Sequence, residues 1–137
     1  MNDTIGVMLA RADTYDTDTI KKFIDTSCTN LALSRNFAGK RIVLKPNLIS
    51  GRASSLACTD GRFIAGVAEW FLDCGARVLV GDSPAFGSVE AVLRAHGIGE
   101  HLDHLDVGIL PFRTPIKRHL AHGVTIGISE EALDCDY

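Results

Sequence analysis

Two uninterrupted aliphatic triplets, Ile42-Val43-Leu44 and Val78-Leu79-Val80, constrain this chain more than any other feature. A strand with one face in water alternates apolar and polar residues, whereas a strand covered on both faces does not. Each triplet gives way to a polar break and then to apolar residues at helical spacing. Phe63, Ile64, Val67, Trp70 and Phe71 form such a stripe on a helix capped by Thr59 or Asp60 and stopped at Gly75. Upstream, Ile20, Phe23, Ile24, Cys28 and Leu31 do the same for a helix over 18–33, with Asp16 or Thr17 as its cap. Strands are expected at 4–12, 41–45, 77–80, 107–112 and 123–129. A third helix is expected over 88–96, and a helical turn capped by Ser129 near the end. Strand and helix in alternation predict a mostly parallel sheet with right-handed crossovers. The expected fold is α/β, a three-layer Rossmann-like sandwich, and 137 residues suit a single domain over 1–137.

Charge and cysteine spacing exclude several roles. The formal net charge is -3 and the basic residues are scattered, which argues against a nucleic-acid partner. Lys117-Arg118-His119 is the one short basic cluster and reads as a solvated loop. No apolar run reaches the ~20 residues of a membrane span, so no membrane partner is expected. The start of the chain lacks a basic, then apolar, leader pattern, so the cytoplasm is the expected location. Cys28, Cys58, Cys74 and Cys135 are dispersed, as thiols in a reducing compartment would be. His101-x-x-His104 and His119-x-x-His122 lie near Asp103 and Asp106, but neither pair sits in a strong helix or reproduces a zinc spacing. No metal is expected.

In open α/β sheets, ligands bind beyond the carboxyl ends of the strands. Lys45-Pro46-Asn47 lies at one such exit and Gly81-Asp82-Ser83-Pro84 at the next. If the strands are parallel, both exits reach one rim. Lys45 would bring a cation and Asp82 a carboxylate acting as acid/base or metal ligand; these two are the candidate catalytic residues. Asn47 and Ser83 would bind ligand beside them. The small-residue loop from Ser50 to the helix start at Thr59 and Asp60 would let an anion approach backbone amides, so Ser50, Thr59 and Asp60 join the ligand-binding set. The same residue types also build ordinary turns, and Asp82 or Ser83 would serve equally as a helix cap.

The stretches "IVLKPNLIS", "TDGRFIAGVAEWFLDCGARVLVGDSP" and "VEAVLRAHGI", in that order, resemble the family called domain of unknown function 362. The likeness is most specific at Lys45-Pro46-Asn47 and Gly81-Asp82-Ser83. It implies an α/β domain of which this chain is the amino-terminal part. Some family members carry ferredoxin-type modules with four-iron, four-sulfur clusters, which implies redox chemistry and a ferredoxin-type partner. This chain lacks the ferredoxin cysteine run, so no iron–sulfur cluster is expected in it, and the cofactor is unknown. Three readings stand: part of a redox enzyme binding a small anionic ligand, a noncatalytic nucleotide- or anion-binding module, and a scaffold fragment. An open sheet edge would also permit a homodimer.

Overall fold

A computed structural model of the chain describes residues 6–137. Three strands, β1 (Arg41–Leu44), β2 (Arg77–Asp82) and β3 (Val107–Pro111), form a parallel sheet in the order β1-β2-β3. The crossover from β1 to β2 carries α2 (Gly61–Asp73), and that from β2 to β3 carries α3 (Val89–Ala95) and α4 (Ile98–Leu102). Helix α1 (Thr17–Asn30) precedes the sheet. An antiparallel ribbon of β4 (Pro115–His119) and β5 (Thr125–Ser129) follows it, and α5 (Glu130–Leu133) closes the described chain. The fold is α/β, as the unbroken aliphatic strands require.

Local chemistry sets the helix starts. Asp16 accepts the Thr19 amide, Asp60 the Arg62 amide and Ser88 the Ala91 amide, each satisfying a donor with no partner inside its helix. Gly75 and Gly97 take left-handed conformations (φ 78° and 65°) where α2 and α3 stop, a conformation glycine adopts without steric cost.

The core lies between one face of the sheet and α2, α3 and α4. Ile42, Val78 and Val80 point into it and meet Ile64, Ala65 and Ala68 of α2, with Val92, Leu93, Ile98 and Leu102 at the far end. Helix α1 packs on the opposite side of α2, where Ile20 sits over Gly66 and Lys21 bridges Glu69 and Asp73. Trp70 is 5% exposed; it donates to Asp25 of α1 at 3.0 Å and meets Phe37 and Phe71 edge-on. The other sheet face, with Val43, Leu79 and Leu110, stays half-buried. The Rossmann-like, three-layer expectation is therefore met only roughly.

Several expectations are corrected. The strand expected at 4–12 is absent over 6–12, where Val7 and Leu9 are exposed, and its first two residues lie outside the described residues. Helix α1 sits outside α2, so the segment before it is not delivered to the sheet. The outer edge of β1 instead bonds Tyr137, which donates to the Arg41 carbonyl and accepts from the Val43 amide. Lys117-Arg118-His119, expected as a loop, forms most of β4, because pairing with β5 supplies the ladder that its own sequence does not announce. Phe63 was expected in the buried stripe of α2 but is 41% exposed, and the buried positions run through Ile64, Ala65 and Ala68. Among the described residues, no helix is long and apolar enough to cross a membrane.

The root of the β4–β5 ribbon is clamped by Glu131. Its carboxylate accepts the Ser129 hydroxyl at 2.5 Å and the Thr114 hydroxyl at 2.8 Å, together with the Thr114 amide. These bonds, the Ser129 hydroxyl foremost, lower the Glu131 pKa from 4.5 to about 2. A depressed carboxyl pKa means that the clamp is complete above the ordinary value and fails only as pH falls through about 2. The Thr114 amide resonance is accordingly expected to hold its position through pH 4.5 and to titrate only near pH 2. A midpoint near the ordinary glutamate value would contradict the clamp.

Candidate functional site

In the parallel register Leu44 lies opposite Val80, so the first residues beyond β1 reach the level of the last residues of β2. That alignment brings Lys45 and Asp82 together: Lys45 Nζ lies 2.8 Å from Asp82 Oδ1. The two side chains differ sharply in surroundings. Asp82 is 4% exposed and Lys45 60% exposed. A buried carboxylate therefore anchors a cation that still faces solvent.

Asp82 also organises the backbone around it. Its Oδ2 accepts the Leu48 amide and its Oδ1 accepts the Ser83 amide, both at 2.8 Å. One carboxylate thus ties the loop after β1 to the turn after β2. Bonds to two amides and an ammonium satisfy the oxygens of this buried side chain. Gly81 lets β3 and the Phe112 ring approach the end of β2 closely, since a Cβ there would fall 2.8 Å from the Leu110 carbonyl oxygen. Ser83 is exposed, and its hydroxyl makes no hydrogen bond among the described residues.

The remaining candidates hold the loop in shape. Asn47 donates its side-chain amide to the Ala57 carbonyl, and its backbone amide bonds the Thr59 hydroxyl at 2.9 Å. The Thr59 amide returns a bond to the Asn47 carbonyl, closing the loop at its neck. Ser50 is buried; its hydroxyl accepts the Arg52 and Ala53 amides, and its carbonyl accepts His96 Nε2–H at 2.8 Å. Asp60 caps α2 and pairs with Arg62, whose guanidinium is the first cause of its lowered carboxyl pKa.

Lys45 and Thr59 share a depression of about 300 Å³, walled by Pro46, Phe63, Ile64 and Val67. Phe63 and Val67 bring an apolar wall that sequence reasoning assigned to the core. Asp82, Lys45 and Ser83 thus meet at one rim, with Thr59 one step away across the depression. Ser50 is drawn off toward His96, and Asp60 turns to Arg62. The depression can offer an anion the Lys45 ammonium, the Thr59 hydroxyl and an apolar wall, while Asp82 and Ser83 lie outside its lining. Among the described residues, no group of three or more histidine, cysteine, aspartate or glutamate side chains is placed to hold a metal ion.

The family model described as domain of unknown function (DUF362) matches residues 42–137. A thylakoid-associated protein of Synechocystis sp. is 32% identical over an alignment of 137 positions that covers 96% of this chain and 42% of that protein. The chain therefore spans about two-fifths of the length of the curated relative it matches. No solved structure matches the chain.

Proposed function

The chain belongs to the DUF362 family, and on that premise we propose that the rim at the carboxyl ends of β1 and β2 binds a small anion such as a phosphate or carboxylate. The observation that carries this reading is the Lys45–Asp82 pair: a cation 60% exposed, held at 2.8 Å by a carboxylate almost wholly withdrawn from solvent. Surface ion pairs between two mobile side chains hold neither partner in place. Here one partner is fixed by two backbone amides, so the ammonium is confined before a ligand arrives, and less entropy is lost when one binds. Lys45 meets the anion, Ser83 offers its hydroxyl, and Asp82 positions both. Asn47, Ser50, Thr59 and Asp60 act at one remove by shaping the loop.

The redox role implied by the family resemblance builds on the same rim. An anionic substrate would sit there while a ferredoxin-type partner supplied electrons. We further take the protein to act in the cytoplasm; its recovery in the membrane pellet of fractionated cells would contradict that.

Inorganic phosphate is the first probe. At a hundredfold excess over its Kd, a one-site ligand stabilises the fold by about 2.7 kcal/mol, read as a rise in Tm. Lys45→Met is expected to abolish that rise while costing the unliganded protein about 1 kcal/mol, because Asp82 keeps both of its amide bonds. An equal rise in wild type and variant would remove Lys45 from the site.

A further inference from the structure

Charge is divided unevenly along the chain. Residues 113–129, which hold the β4–β5 ribbon, contain Arg113, Lys117 and Arg118 and no acidic residue. That leaves 11 of the 14 basic residues and all 17 acidic ones elsewhere, so a ribbon of formal charge +3 stands on a body of -6. The ribbon is also apolar where it projects: Leu120, Val124 and Ile126 are 50%, 51% and 38% exposed. Among the described residues β4 and β5 pair only with each other, so each keeps an outer edge.

The counterpart to this ribbon lies on the same molecule. The outer edge of β3 is unpaired among the described residues, and Ile109 on it is 38% exposed. Beside that edge runs a groove of about 470 Å³ with an apolar floor from Leu93, Leu105 and Val107 and a rim of three carboxylates, Glu90, Glu100 and Asp103, against one cation, Arg94. Glu100 and Asp103 make no ion pair among the described residues, and neither do Lys117 and Arg118. A β-edge next to an acidic, apolar-floored groove is the complement of a basic, apolar β-ribbon.

We infer that the groove beside β3 receives the β4–β5 ribbon of a second copy of this chain. The ribbon adds to the β3 edge, the face carrying Ile116, Ile126 and Ile128 covers the groove floor, and Arg118 on that same face meets Glu100 and Asp103, while Lys117 on the other face adds to the ribbon's overall positive charge. In its own molecule the ribbon's root touches the groove through Arg113, which pairs with Glu90 on the rim, and the Glu131 clamp on Thr114 fixes that root. Reciprocal exchange, in which each copy gives a ribbon and receives one, doubles the buried area and closes the assembly as a pair. Charge complementarity selects a second copy over an anionic lipid surface, because a membrane that attracts the ribbon would repel the acidic body.

The test is a charge swap read by sedimentation velocity at about 0.1 mM protein. Wild type is expected to be a dimer that weakens by at least about tenfold as salt is raised. A ribbon variant (Lys117→Glu with Arg118→Glu) and a groove variant (Glu100→Lys with Asp103→Lys) are each expected to sediment as monomers. Mixed in equal amounts, the two are expected to form a heterodimer, a recovery that misfolded variants would not give. A monomeric wild type, a salt-insensitive dimer, or single-sided variants that dimerise like wild type would overturn the inference. So would a monomeric wild type that binds anionic phosphatidylglycerol vesicles and loses that binding in the ribbon variant, which would assign the ribbon to a membrane surface.

Discussion

Asp82→Ala is expected to destabilise the protein by about 2–3 kcal/mol and to abolish phosphate binding at the rim. The substitution strands the Leu48 and Ser83 amides, the first of which belongs to a buried residue between two exposed ones. A buried donor without an acceptor costs about 1–3 kcal/mol. Breaking a fully buried ion pair costs more, about 3–5 kcal/mol, because it leaves a charge in the core. Lys45 is more than half exposed and returns to water, so the lower figure applies. Asp82→Asn keeps one acceptor oxygen and is expected to lie between wild type and Asp82→Ala, while still losing the cation's anchor. Urea unfolding measures the first effect, and calorimetric titration with phosphate the second. A stability loss in Asp82→Ala no larger than that of Lys45→Met would show that the amide bonds carry little.

The largest loss of stability is expected at Trp70, far from the rim. Trp70→Ala removes a side chain 5% exposed, its bond to Asp25 and its edge-on contacts with Phe37 and Phe71. Truncations of this kind cost about 3–5 kcal/mol. That is a large share of the about 5–15 kcal/mol that holds a domain folded. Trp70 joins α1 to α2, so the loss is expected first in α1, seen as faster amide exchange over Thr17–Asn30 than in the sheet. Trp70→Phe keeps most of the apolar volume but not the donor, and is expected to recover more than half of the loss. Uniform exchange throughout the variant would contradict the placement of α1 as an outer layer resting on α2.

The two mutations separate what the sequence disclosed from what it did not. Lys45 and Asp82 could be paired in advance because consecutive parallel strands with short exits bring their carboxyl ends to one level. That geometry follows from strand order alone. The caps at Asp16, Asp60 and Ser129 were equally legible, since each is a local bond between a side chain and an amide two or three residues on, whereas α3 is capped by Ser88 and not by Asp82 or Ser83, whose turn precedes it. What stayed hidden was nonlocal. The segment at 6–12 has strand-forming residues, but propensity does not say which sheet edge is open, and Tyr137 bonds the edge of β1. β4 begins with proline and carries three cationic or imidazole side chains in five residues, so only its pairing with β5 reveals it. Asn47, Ser50 and Thr59 have the composition of a ligand loop. Whether such groups face a ligand or their own backbone depends on how the loop folds, and here they bond to Ala57, Arg52, Ala53 and Asn47.

The central claim is that Lys45, held by Asp82, meets an anion at the rim. Proton–nitrogen correlation spectra recorded during a phosphate titration test it most directly, because the Leu48 and Ser83 amides report on the carboxylate that holds the lysine. Saturable shifts of both resonances in wild type, absent in Lys45→Met, are the predicted result. Resonances that stay still in wild type, or that move equally in the variant, would contradict it.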